Sequence, residues 1–142
     1  MSVFLIFLFA GLSIGTRVDF HNNCNYYVHV ISTENSRSST EQPSLGPNQR
    51  SSADFSSNGM NFKNGWNGLT LAEFSFNSWN AMDFYDLSVI FGYDTPMKIE
   101  TNKGGPTVSC GSPGCPKAYL FPTDDTKTHG CPTGGAFTLT FC

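Results

Sequence analysis

The segment Ala136–Cys142, AFTLTFC, alternates apolar side chains with threonine, and a period of two marks a strand with one buried face. Shorter runs of the same kind recur along the chain. Val18–Ile31 (VDFHNNCNYYVHVI) holds two of them, parted by Asn-Asn-Cys-Asn, with Asp19 and His29 out of phase with their apolar neighbours. Ser51–Phe55, Gly59–Phe62, Leu69–Phe76, Asp83–Ile90, Lys98–Thr101 and Pro106–Cys110 read as further strands, whereas Thr33–Gln49 is polar and reads as loop with at most one short strand. Charged residues make up only 13% of the chain, while Gly, Ser, Thr and Asn are plentiful. That balance predicts an all-β single domain rich in turns.

The first fifteen residues, MSVFLIFLFAGLSIG, are apolar and uncharged. The run is too short to span a bilayer, and Ser13 and Gly15 are small residues at the spacing a signal peptidase requires. A buried N-terminal helix would need polar residues at helical spacing, and none is present. Residues 1–15 are therefore expected to be a signal peptide, with residues 16–142 forming the mature, secreted, extracellular β domain. No later run is apolar for long enough to cross a membrane, so no membrane insertion is expected. A net charge of −3 argues against a nucleic-acid partner.

Cys24, Cys110, Cys115, Cys131 and Cys142 all follow the leader, and in an exported chain disulfides are the default. Their number is odd, so one thiol is left over or pairs with another molecule. His21, His29 and His129 show no metal-ligand spacing, and neither a metal nor a cofactor is expected.

The candidate site lies in Leu69–Met97, LTLAEFSFNSWNAMDFYDLSVIFGYDTPM, where Glu73, Asp83 and Asp86 stand among Phe74, Phe76, Trp79, Phe84 and Tyr85. Ionised groups are expensive to bury and are held at a core rim or in a cleft. Carboxylates beside aromatic rings suit sugars, because rings pack on pyranose faces and carboxylates accept from hydroxyls. Glu73 and Asp86 are read as cleft residues. Asp83 reads first as a loop-amide acceptor and is carried as a weaker member of the binding set. Trp66, Trp79 and the phenylalanines are expected in the core, since aromatics bury the most apolar area per residue.

Four blocks in order, VDFHNNCNYYVHV, LTLAEFSF with DFYDLSVIFGYDTPM, CPKAYLFPTDD and GCPTGGAFTLTFC, resemble the thaumatin-like proteins. The resemblance implies a flattened β-sandwich or barrel of about ten antiparallel strands. Long members carry a cysteine-rich second domain between the counterparts of Cys110 and Cys115, where this chain has only Gly-Ser-Pro-Gly. The chain therefore looks like a short form. The same likeness implies disulfides Cys24–Cys142 and Cys110–Cys115, leaving Cys131 as the free thiol and available for a disulfide-linked dimer of an otherwise monomeric protein. The rival pairing is Cys110–Cys131, with Cys115 free.

Carried across residue by residue, the family's acidic cleft implies Glu73, Asp86 and Asp124 as carbohydrate-binding positions. A further family carboxylate falls on Phe91, and for the family's arginine only Lys63 stands nearby. Asp124 reads equally well as a turn residue. The expected function is secreted defence or antifungal-type binding of β-1,3-glucan or a related cell-wall polysaccharide. One alternative is a weak endo-β-1,3-glucanase using Glu73 and Asp86, and another is a non-catalytic secreted effector or protein-interaction module.

Overall fold

A computed structural model describes residues 15–142. The expected signal peptide lies outside the described residues except for Gly15. Among the described residues eleven strands form two sheets: β1 (Thr16–Asn22), β2 (Val30–Glu34), β3 (Thr40–Glu41), β4 (Arg50–Phe55), β5 (Met60–Asn64), β6 (Leu71–Ser75), β7 (Met82–Ser88), β8 (Met97–Thr101), β9 (Val108–Cys110), β10 (His129–Pro132) and β11 (Ala136–Phe141). A 3-10 turn, Trp79–Ala81, interrupts the β6–β7 connection. The five-stranded sheet has the order β4-β1-β11-β8-β9 and the six-stranded sheet the order β10-β7-β6-β5-β2-β3. Among the described residues no helix is long and apolar enough to cross a membrane.

The sheets share one core, because alternate residues of each strand point at the opposing sheet. Phe20 and Phe137 come from the five-stranded sheet, and Phe62, Phe74 and Tyr85 from the other; all five are buried. Their rings meet edge to face, at 5.0 Å for Phe20–Phe62, 5.2 Å for Phe74–Phe137 and 5.1 Å for Tyr85–Phe137. Such contacts favour aromatic rings over aliphatic chains of similar area.

One ladder departs from the antiparallel expectation: β1 and β11 run parallel, with Val18 opposite Phe137 and Phe20 opposite Leu139. Parallel neighbours need a long crossover, and here the rest of the chain supplies it. Disulfide Cys24–Cys142 clamps the ends of this ladder across 118 residues. Cys110–Cys115 closes the short Gly-Ser-Pro-Gly turn, so the rival Cys110–Cys131 pairing is not formed.

Several strand limits differ from those read in the sequence. β2 begins at Val30 and continues through Glu34, into the stretch read as loop, where β3 pairs with it. β10 has no alternation to betray it: His-Gly-Cys-Pro becomes a strand only because it pairs with β7. The largest correction concerns the aromatics. Trp66, Trp79, Phe91 and Phe121 are exposed, at 55%, 76%, 78% and 52%, and not in the core. All four sit in turns and loops between strands, where no alternation directs a side chain at the opposing sheet. Cys131 is unpaired and buried on β10, opposite Asp83, and burial pushes its thiol pKa up. A thiol so placed is poorly reactive, and an intermolecular disulfide would require β10 to detach.

Candidate functional site

β6 and β7 form a hairpin in which Phe74 pairs with Tyr85 and Ala72 with Leu87, all on the core face. Because side chains alternate, the intervening pair Glu73 and Asp86 stands on the outer face, directly opposite one another. Directly opposed residues hold their Cβ atoms about 4.5–5.5 Å apart, so two carboxyl groups meet here. The row continues across the sheet: Asn61 on β5 faces Glu73, and Thr33 on β2 faces Asn61. On the other side the Thr128 hydroxyl donates to Asp86 Oδ2 at 3.1 Å.

Thr128 is held in place by Tyr119. The Tyr119 hydroxyl accepts the N–H of Lys127 at 3.2 Å and of Thr128 at 3.1 Å, and meets the Thr128 hydroxyl at 2.8 Å. Tyr119 is docked on β7 by a parallel bridge to Ser88, through Val89 N–H to Tyr119 O and Tyr119 N–H to Leu87 O. The Cys-Pro-Lys-Ala-Tyr segment thus lies along the outer edge of β7 as a short prop for the carboxyl row.

Asp86 is buried while Glu73 is half-buried. The Asp86 pKa is raised to about 8, first by burial, then by the hydrogen bond and negative charge of Glu73; Thr128 opposes the rise. Asp86 Oδ1 is buried and receives no donor from the described residues. A proton on that oxygen resolves both facts, since it turns Oδ1 into a donor to Glu73. At neutral pH the pair therefore holds one shared proton and one negative charge.

The other expected positions lie elsewhere. Asp83 is three residues from Asp86, hence on the opposite face, and is 1% exposed. Its carboxylate accepts from Thr16 Oγ1 at 2.9 Å, from the Asn77 N–H at 2.7 Å and from the Thr133 hydroxyl. It joins β1, the β6–β7 loop and the β10–β11 turn, and its place in the carbohydrate-binding set is withdrawn. Asp124 accepts from Thr126 Oγ1 at 2.6 Å and from the Thr126 N–H at 3.0 Å, and the Thr126 hydroxyl is the leading reason its pKa is lowered. It shapes the loop that delivers Thr128 and has no hydrogen bond to Glu73 or Asp86. Lys63 shares the outer face two residues along from Asn61. Among the described residues no three His, Cys, Asp or Glu side chains are grouped to hold a metal. Asn61 and Thr128 went unnoticed in the sequence: lone polar residues carry no signal until register aligns them.

A family model described as Bys1, Blastomyces yeast-phase-specific protein, matches residues 13–142. A thaumatin-like protein of Oryza sativa subsp. japonica is 49% identical over 74 residues, covering 52% of this chain and 40% of that protein. Pathogenesis-related protein 1A/1B of Hordeum vulgare is 39% identical over 75 residues, covering 51% and 42%. The chain thus spans about two fifths of the length of these curated relatives. Among solved structures, the protein elicitor MoHrip2 from Magnaporthe oryzae superposes with a TM-score of 0.71 at 25% identity, over 89% of this chain and 98% of that one. The thaumatin-like xylanase inhibitor TLXI superposes with a TM-score of 0.69 at 16% identity, over 88% and 98%, a likeness of fold.

Proposed function

This chain belongs to the Bys1 family and has a thaumatin-like fold, and on that premise we propose that it is a secreted, defence-type protein that binds β-1,3-glucan or a related cell-wall polysaccharide on the outer face of β6 and β7. The observation that supports this reading is the Glu73–Asp86 pair. A protonated carboxyl beside an ionised one offers a donor and an acceptor to sugar hydroxyls at once. Asn61 and Thr128 extend the polar row on either side. A neutral, hydroxyl-rich ligand suits such a pair better than a basic protein does, because a cationic partner is best met by two full negative charges.

Binding is favoured over hydrolysis by the same geometry. Retaining glycosidases hold their carboxyls about 5–5.5 Å apart and inverting ones about 6.5–9.5 Å, leaving room for the anomeric carbon or a water. Glu73 and Asp86 are directly opposed on adjacent strands and raise each other's cost of ionising, which suits a shared hydrogen-bonding role better than flanking a scissile bond. The deciding assay is retention on insoluble β-1,3-glucan, with Glu73→Gln and Asp86→Asn as variants, alongside release of reducing ends from soluble glucan. Retention by the wild type, lost in Glu73→Gln without any release of reducing ends, is the expected result. Failure of the wild type to be retained would leave the second reading, a non-catalytic secreted effector or protein-interaction module, which the likeness to a protein elicitor favours.

A further inference from the structure

The outer face of β6 does not end at the carboxyl pair. Leu71 follows Glu73 on this face at the start of β6, and the chain enters the strand through Leu69 two residues earlier. Leu69 is 40% exposed, and its side chain lies across the backbone of Gly92: a Cβ there would sit 2.9 Å from Leu69 Cδ1. Gly92 has φ +132, so a larger residue is excluded by backbone conformation as well as by space. Phe91, immediately before Gly92, is 78% exposed. Trp66 occupies the turn closed by Gly68 N–H to Gly65 O, three residues ahead of Leu69. Leu120 and Phe121, also exposed, leave from Tyr119 where it is bridged to Ser88.

These apolar groups stand on braced turns. The Asp94 carboxylate accepts the N–H of Leu69 at 2.8 Å and of Thr70 at 3.2 Å, while Thr70 Oγ1 accepts the N–H of Asp94 at 3.0 Å and of Thr95 at 3.2 Å. Gly65 N–H donates to His29 O at 2.7 Å. Among the described residues, five of the eight exposed large hydrophobics lie on the segments that enter β6 or leave β7 and its bridge at Ser88. Large apolar groups concentrated and held rigid at the surface mark a binding site, whereas singly scattered ones do not.

We propose that Trp66, Leu69 and Phe91 form an apolar subsite that takes the flat C–H face of a pyranose unit belonging to the same neutral polysaccharide chain whose hydroxyls meet Glu73 and Asp86. The inference rests on the polysaccharide reading of the carboxyl pair and extends it along the strand. The two halves have complementary chemistry, ring faces against aromatic rings and hydroxyls against a donor–acceptor pair, joined through β6. A polysaccharide chain lying along β6 would engage both.

The test uses the secreted full chain, insoluble β-1,3-glucan for affinity, and a soluble β-1,3-gluco-oligosaccharide for fluorescence. Trp66→Ala and Phe91→Ala each lose about tenfold or more in affinity, with thermal midpoints unchanged because both side chains are exposed. In Trp79→Phe, Trp66 is the sole tryptophan, and its emission shifts on saturation with the oligosaccharide. If Trp66→Ala and Phe91→Ala bind as the wild type does while Glu73→Gln does not bind, the subsite is overturned and the carboxyl-pair reading survives. Trp66 emission that stays still at saturation overturns the subsite too. If the wild type binds neither glucan, the carboxyl-pair reading fails and takes the subsite with it.

Discussion

Glu73 and Asp86 are nearest cross-strand neighbours on the outer face of one hairpin, and burial together with the Glu73 charge keeps Asp86 protonated up to a pH of about 8. Like charges placed this close do not both ionise at neutral pH. Three predictions concern the carboxyls of this hairpin, and two the cysteines elsewhere in the chain.

Ligand affinity should fall as pH rises through about 8. Below that value Asp86 is a hydrogen-bond donor; above it the donor is gone and two carboxylates repel. Titration calorimetry or glucan retention at pH 6 and pH 9 measures this, and equal affinity at both would refute a role for the shared proton. Asp86→Asn keeps a donor at every pH and should flatten the profile.

Stability should carry the same signature. The folded pKa of Asp86, about 8, lies above the ordinary value of 3.8, so between the two the folded state holds a proton that the unfolded chain has released. The Asp86 contribution is therefore complete below about pH 4 and lost as pH climbs to about 8. Asp86→Asn removes this dependence and should raise the melting temperature at pH 8 by a few degrees, the shift about 1 kcal/mol produces in a domain of this size. A gain as large at pH 4 as at pH 8 would contradict the assignment.

Asp83→Ala should cost about 3 kcal/mol or more, because it strips the acceptor from Thr16, Asn77 and Thr133 in a buried place. Asp83→Asn retains one acceptor oxygen and should cost less. Neither change should alter glucan affinity where the protein remains folded. Chemical denaturation beside a binding curve separates Asp83 from Asp86, and lost affinity in a folded Asp83→Asn variant would restore Asp83 to the site.

The two disulfides should differ in value. By the chain-entropy model, Cys24–Cys142, closing 118 residues, contributes about 5 kcal/mol, and Cys110–Cys115, closing 5, about 2. Replacing each pair by serine and measuring unfolding by denaturant gives the ranking. Equal losses would mean that folded-state strain, and not loop length, sets these contributions.

Cys131 can be given a partner. A Cβ built on Gly105 lies 3.3 Å from the Cys131 Cβ, close to disulfide range, but collides with the Tyr85 hydroxyl, which donates to Pro106 O at 2.6 Å. Gly105→Cys combined with Tyr85→Phe should therefore oxidise to a form with no free thiol, and Gly105→Cys alone only partly. Thiol counting under denaturing conditions reads the outcome directly.

Much of this was legible beforehand for a simple reason: alternation is local. Ala136–Cys142, Leu69–Phe76 and Asp83–Ile90 each state in their own residues which side chains will be buried, and the odd spacing of Asp83 and Asp86 already puts them on opposite faces once a strand is granted. β10 was illegible because a Gly- and Pro-containing tetrapeptide has no pattern of its own and is held in place by β7. Trp66, Trp79, Phe91 and Phe121 misled because hydrophobicity measures what a side chain gains by burial, not whether the chain at that point turns it toward the core.

From its residues alone this chain is committed to a disulfide-tied β architecture of thaumatin-like type, with Glu73 and Asp86 as its notable carboxyls. Only folding could set β6 against β7 in a register that makes those two groups share a proton, bring Thr128 and Tyr119 to their side, turn Asp83 inward, and leave Leu69 and Phe91 exposed. The division has a physical cause. Side-chain alternation is written within a single strand, whereas the distance between two charges, and the water they keep or lose, depends on which strands become neighbours.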